Sequence, residues 1–187
     1  MTRATFSGEI TYSAGSWETV EWSRFDVVGL NLYRDASNSA SYTRTLKSAH
    51  RHGQPLLVTE FGCCSYTGAD LVGPEGDGIV DWTDPSRPRV RGTPERDEHV
   101  QARYLGELLD IFQTTDVAGA FVFEYTEPEY PRSDDPRYDL DIGGFGLVAV
   151  RLQESLEGTH YTYEPKAAFH EVARRYELLH RRESPPV

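Results

Sequence analysis

The sequence predicts an α/β fold of parallel βα units, and three observations carry that prediction. Segments 26–33, 55–62 and 117–125 are short, nearly continuous apolar runs rich in β-branched and aromatic residues, the pattern of strands buried on both faces. Helical periodicity separates them. The two long connections, 63–92 and 126–164, both follow the C-terminal end of a strand, where α/β folds build their sites.

Taken in order, residues 9–14 form a weaker strand candidate ended by Gly15, and 17–22 a short helix. After the strand at 26–33, residues 39–52 read as a helix closed by Gly53. Segment 55–62 is the next strand. Residues 94–113 then place Val100, Tyr104, Leu108 and Phe112 on one helical face. Thr93 is the expected cap, Pro94 suits the first helical position, and Glu95 and Asp97 suit the positive end of the dipole. The strand at 117–125 is followed, after its long connection, by a helix at 165–179 whose expected stripe is Ala168, Phe169, Val172, Tyr176 and Leu179. No repeat or linker divides the chain, so residues 1–180 are expected to form one domain and 181–187 a polar tail.

Composition narrows the function classes. Thirty acidic against nineteen basic side chains give a net charge of -11, which repels phosphate backbones and anionic headgroups. Neither nucleic acid nor membrane is an expected partner. No apolar run reaches the roughly 18 residues of a membrane span, and residues 1–10 lack a signal-peptide pattern, so a cytoplasmic location is expected. Cys63 and Cys64 are adjacent and read as reduced thiols. The six histidines form no His-Glu-x-x-His, no Gly-rich loop offers a phosphate cradle, and no Gly-x-Ser-x-Gly elbow occurs. No metal and no cofactor is expected.

Glu60 is the leading candidate for chemistry, because a carboxylate ending an apolar strand is costly unless it is hydrogen-bonded or used. The bland alternative is a structural ion pair with an arginine. Glu124 and Glu127 flank the end of the strand at 117–125, and an internal pairing of Glu60 with Glu124 is geometrically open; their bland reading is hydrogen bonding within the loops. Residues 124–141 carry seven acidic side chains. Asp139-x-Asp141-x-Gly143 faintly resembles a calcium loop but lacks the twelfth-position Glu, and a solvated acidic loop is the expectation. Trp17, Trp22, Tyr33, Tyr66, Trp82, Tyr125 and Tyr130 fall in or beside strand ends, where rings stack on sugars, although for any single one core packing is the simpler reading.

The segment Pro55-Leu56-Leu57-Val58-Thr59-Glu60-Phe61-Gly62 resembles the seventh strand of clan A glycoside hydrolases, in which a Glu after Thr or Ser and before an aromatic-Gly pair is the nucleophile. The run from Asp26 to Tyr33 is similar to the sixth strand, whose terminal aromatic orients that Glu. Gly119-Ala120-Phe121-Val122-Phe123 is similar to the eighth. Gly146-Leu147-Val148 followed by Glu164-Pro165-Lys166 resembles the closing motif before the last helix. The closing stretch also resembles, more loosely, actinobacterial barrels labelled abortive infection proteins.

The resemblance implies strands 5 to 8 of a (β/α)8 TIM barrel, the C-terminal half, consistent with a chain of 187 residues where a complete barrel takes roughly 250. It implies retaining hydrolysis of an O-glycosidic bond, with Glu60 as nucleophile and Tyr33 orienting it; where the family more often has a Trp this chain has Glu124, which joins the candidate catalytic set as a partner for Glu60, while Asn31, Tyr66, Trp82, Tyr125 and Glu127 are the candidate saccharide contacts. The family's proton donor, a Glu on the fourth strand, would precede Ile10, so this chain is expected to be inactive alone. A non-catalytic carbohydrate-binding or phage-defence barrel is the alternative. Expected partners are a saccharide and either an N-terminal half-barrel or a second copy, which would cover the open strand edges.

Overall fold

The computed structural model describes residues 4–155 and 158–183. Its centre is a four-stranded parallel sheet. β1 (Ser13–Ala14) pairs with β2 (Val28–Asn31), and β2 with β3 (Leu56–Phe61). A small antiparallel ribbon, β4 (Val80–Asp81) with β5 (Arg89–Val90), rises from the connection that follows. The last parallel strand, β6 (Gly119–Val122), lies against β3, so the sheet order is β1-β2-β3-β6. Strands thus neighbour one another in sequence order, with Glu60 at the C-terminal end of β3 and Tyr33 just past the end of β2.

Helix α1 (Tyr42–Ala49) continues as a 3₁₀ turn to His52 and closes at Gly53 with φ 75°. Tyr42 anchors it, its hydroxyl donating to the Leu32 carbonyl at 2.8 Å. Helix α2 (Glu98–Thr114) is the hub of the core: Val100, Tyr104, Leu108 and Phe112 are all buried, as the periodicity predicts, and Phe112 meets Phe61 edge-on at 4.9 Å. The Tyr104 hydroxyl accepts from the Arg34 amide and donates to the Arg34 carbonyl. Helix α3 (Ala167–Glu183) packs along α2 with Ala168 and Val172 buried, while Tyr176 is 44 % exposed. Leu179 lies outside the described side chains. The helix takes in the first three residues of the expected tail, and 184–187 lie outside the described residues.

Several local expectations are corrected. Residues 17–22 are not a helix; a single 3₁₀ turn forms at Trp22–Arg24. Helix α2 starts later than predicted, capped by Asp97, whose carboxylate accepts from the His99 and Val100 amides. Thr93 and Pro94 lie outside the helix, because the chain ahead of Asp97 is tied to the loop after β3: the Thr67 amide donates to the Glu95 carbonyl and the Asp97 amide to the Ser65 carbonyl. Nor is the sheet buried on both faces. Leu56, Val58 and Phe61 are buried, but Leu57, Thr59 and Glu60 remain half-accessible and Phe121 of β6 is 57 % exposed.

Segment 126–164 is not a plain loop. After a 3₁₀ turn at Leu140–Gly143 it forms an antiparallel hairpin of β7 (Val148–Ser155) and β8 (Gly158–Pro165). Its acidic run is not simply solvated either. Asp139 and Asp141 are buried and share Arg96, at 2.6 and 2.8 Å. Lys166, fully buried, donates to Asp141 Oδ1 and to Ser65 Oγ, each at 3.2 Å. Glu98 joins this network through Arg96, at 3.5 Å, and also meets Arg132, while its second oxygen accepts from the Ala167 amide at the start of α3. The carboxylates of this faintly calcium-like spacing thus belong to a salt-linked knot that fastens α2 and α3 to the loop between β6 and β7.

Candidate functional site

Where β2 and β3 end, the register slips between Leu30 and Asn31, and Asn31 comes opposite Glu60. The slip sets two donors on one carboxylate. Asn31 Nδ2 donates to Glu60 Oε2 at 2.9 Å, and the Tyr33 hydroxyl donates to Oε1 at 2.7 Å. Thr59 Oγ1 donates to Asn31 Oδ1 at 2.8 Å, which fixes the amide orientation. Burial, reinforced by the Glu60 carboxylate, pushes the Tyr33 hydroxyl far above its ordinary range, so it stays a donor. Among the described residues no Lys, Arg or His pairs with Glu60. The ion-pair reading of this residue therefore lacks a partner.

Glu60 opens onto a cavity of about 150 Å³ lined by Ser16, Trp17, Asn31, Tyr33, Asp35 and Asn38, with Pro74 closing one side. Trp17 is 84 % exposed, the most solvent-accessible large hydrophobic side chain among those described. Asp35 is held by Ser37 and Asn38 through its Oδ1. Sequence reasoning placed Trp17 only among general aromatic candidates and missed Asp35 and Asn38; the polar run Arg34-Asp35-Ala36-Ser37-Asn38 directly after a buried strand was the available signal.

The second group of carboxyls lies at the end of β6. The Glu127 carboxylate accepts the Phe145 and Gly146 amides. Burial, with the Glu124 charge adding to it and the two amides opposing it, raises Glu127 to about 7. Burial also raises Glu124, and the charges of Glu129 and Glu60 add to it. Phe145 joins the two groups: its ring stands edge-on to Tyr33 at 5.8 Å and to Phe123 at 5.7 Å.

The remaining expected sugar contacts are scattered. Tyr66 is buried, packs in the core and donates its hydroxyl to the Gly76 carbonyl. Trp82 sits on the β4–β5 ribbon, edge-on to Tyr130 at 5.5 Å. Tyr125 is 63 % exposed and leans on Phe169 of α3. Both cysteines are buried, with their thiols pushed up chiefly by that burial, and are inert neighbours of the site.

No family model matches the chain, and no curated protein does either. Among solved structures, the complex of a GH113 β-1,4-mannanase superposes on 94 % of this chain and 47 % of its own length, at 15 % identity and a TM-score of 0.61. A second GH113 β-mannanase, AaManA from Alicyclobacillus acidocaldarius in complex with ManMIm, covers 75 % of this chain and 45 % of its own at 17 % identity; its TM-score of 0.47 carries no weight. The chain thus spans about half the length of the solved structures it matches. At these identities the likeness is one of fold: a parallel sheet with helices, as in about half of a glycoside-hydrolase barrel. The abortive-infection resemblance finds no support in these comparisons. No helix among the described residues is long and apolar enough to cross a membrane.

Proposed function

We propose that this chain is the nucleophile-bearing part of a retaining O-glycoside hydrolase barrel, with Glu60 attacking the anomeric carbon. The observation that carries this reading is the state of Glu60 itself: both oxygens are aimed by neutral donors, Asn31 and Tyr33, no cation among the described residues pairs with it, and it opens onto a small cavity flanked by an exposed tryptophan. A structural carboxylate is normally paired; a nucleophile is oriented and left charged. The two neutral hydrogen bonds orient the carboxylate and leave lone pairs free for attack. Tyr33 and Asn31 are positioning residues, and Trp17 offers a face on which a pyranose ring stacks. The likeness to a β-1,4-mannanase makes β-mannosides the first substrates to try.

The decisive experiment is covalent trapping. A fluorosugar of the β-mannoside type with an activated leaving group forms the glycosyl ester without help from an acid, because the leaving group departs unprotonated and the fluorine slows hydrolysis. Mass spectrometry of the digested chain should find one fluoroglycosyl group on the peptide containing Glu60 and none in Glu60→Gln. Labelling elsewhere, or none, overturns the reading.

A further inference from the structure

We propose that Asp35 is the second carboxylate of the Glu60 cavity and sets its substrate class, accepting the hydroxyls of an uncharged sugar and turning away uronides. The inference rests on reading this cavity as a sugar site. The two carboxylates line one cavity but are held differently. Both oxygens of Glu60 are occupied, one by Asn31 and one by Tyr33. On Asp35 a single oxygen, Oδ1, takes every bond, accepting from the Ser37 amide, the Ser37 hydroxyl and the Asn38 amide. Oδ2 receives no hydrogen bond and no ion pair from any described residue. An open carboxylate oxygen on the wall of a sugar cavity is a charged acceptor for hydroxyls.

The loop is fastened so that Asp35 keeps this place. Its own amide donates to Asn38 Oδ1 at 3.0 Å, and Asn38 Nδ2 donates to the Tyr33 carbonyl at 2.9 Å, which ties Asp35 to the residue that orients Glu60. The Ala36 amide donates to the Leu71 carbonyl at 3.0 Å, and Gly73, at φ 62°, lies against the Asp35 side chain with no Cβ to displace it. The Trp17 indole, also on the cavity wall, lies over Gly15, where a Cβ would meet the ring. Its loop is closed by Glu18, whose carboxylate accepts from the Gly15 amide and the Tyr12 hydroxyl, each at 2.7 Å.

Charge then selects the sugar. Among the described residues no Lys, Arg or His lines the cavity. Arg34, beside Asp35 in sequence, is engaged elsewhere: it pairs with Glu107 at 2.7 Å, and its guanidinium lies over the Tyr104 ring at 5.0 Å. The Ser37 hydroxyl, opposed in part by burial and helped by the two amides, holds the Asp35 carboxyl below its ordinary range, so it is charged at neutral pH. With Glu60 as the ionised nucleophile, two negative charges border one small cavity. A third, on a uronate, is repelled, whereas the hydroxyls of a neutral pyranoside meet an acceptor.

The test uses the full 187-residue chain and reads binding, so it needs no turnover. Methyl β-mannopyranoside and the matching methyl β-mannopyranosiduronate are titrated at low ionic strength, followed by tryptophan fluorescence and by calorimetry. The neutral glycoside should bind at least about tenfold more tightly, and added salt should narrow the gap. Asp35→Asn keeps the oxygen that Ser37 and Asn38 bond and removes the charge; melts check that it folds. It should weaken the neutral glycoside by about tenfold and bring the two ligands within a few-fold of each other. Trp17→Ala should weaken both alike, separating stacking from charge selection. Equal binding of the two ligands by the unaltered chain, no binding of either, a gap indifferent to salt, or a ratio unchanged in Asp35→Asn overturns the proposal. Failure of the Glu60 reading has a different signature: the sugars bind with this discrimination while the fluorosugar leaves Glu60 unlabelled, which keeps Asp35 as the selector of a binding site and removes the nucleophile.

Discussion

Replacing Glu60 with glutamine separates a nucleophile from a structural carboxylate by stability as well as by chemistry. The amide preserves the shape and both contacts if its oxygen takes the Asn31 Nδ2 bond at 2.9 Å and its nitrogen donates to the Tyr33 hydroxyl at 2.7 Å, which then acts as acceptor. What is lost is the charge assistance of two hydrogen bonds, about 1 kcal/mol in total. What is gained is relief from confining a charge at the end of an apolar strand, of similar size and opposite sign. The net change should stay within about 1 kcal/mol, or roughly 2 to 4 °C in a protein of this length. An ion-paired Glu60 would behave otherwise, because neutralising it strands the cation at a cost of roughly 3 to 5 kcal/mol. Paired thermal melts, run beside fluorosugar labelling, make the comparison. A drop in Tm of about 10 °C or more, with labelling retained, would refute the reasoning.

Lys166→Met should destabilise the chain by about 2 to 3 kcal/mol, less than a fully orphaned buried charge because Asp141 keeps Arg96 at 2.8 Å; urea midpoints check this, and an unchanged midpoint would deny the knot its role. Gly62→Ala sets a Cβ against the Phe123 carbonyl oxygen, a backbone atom that cannot swing aside, so β3 and β6 must part at the level of Glu60. A cost of about 1 to 3 kcal/mol with reduced Glu60 labelling is expected. For Glu127, the folded pKa near 7 lies above the ordinary 4.5, so folding favours the neutral acid: stability is full below about pH 4.5 and falls as pH rises through about 7. The fall should be about 2 kcal/mol after discounting for the group's partial exposure, and Glu127→Gln should flatten it. Denaturant midpoints on either side of that window measure the slope, and an equal slope in the variant would assign it to other groups.

Much of this protein is written in short-range pattern. The apolar runs around Val28, Val58 and Ala120 each became a parallel strand, and the stripe of Val100, Tyr104, Leu108 and Phe112 became the buried face of α2. Glu60 and Tyr33 were legible for the same reason: a polar residue ending an apolar strand is conspicuous within a window of eight residues. The β7–β8 hairpin was not read, although the alternation in Thr159-His160-Tyr161-Thr162-Tyr163 signals a strand, because β8 is exposed at every position except Glu164 and buries no apolar side chain.

Only tertiary structure decided how distant groups pair. Asp139 and Asp141 read as a solvated acidic loop, yet Arg96, 45 residues from Asp141, and Lys166, 25 residues away, turn them into a buried anchor. Tyr66 and Trp17 are both aromatics beside strand ends, and only the course of the loops buries the first and opens the second to the Glu60 cavity. Glu127 differs from the other glutamates of its acidic run by the Phe145 and Gly146 amides, 18 and 19 residues onward, that its carboxylate accepts. Periodicity depends on neighbours two to four residues apart and survives in sequence, whereas charge pairing, burial and proton affinity depend on which remote groups the folded backbone brings within a few ångströms.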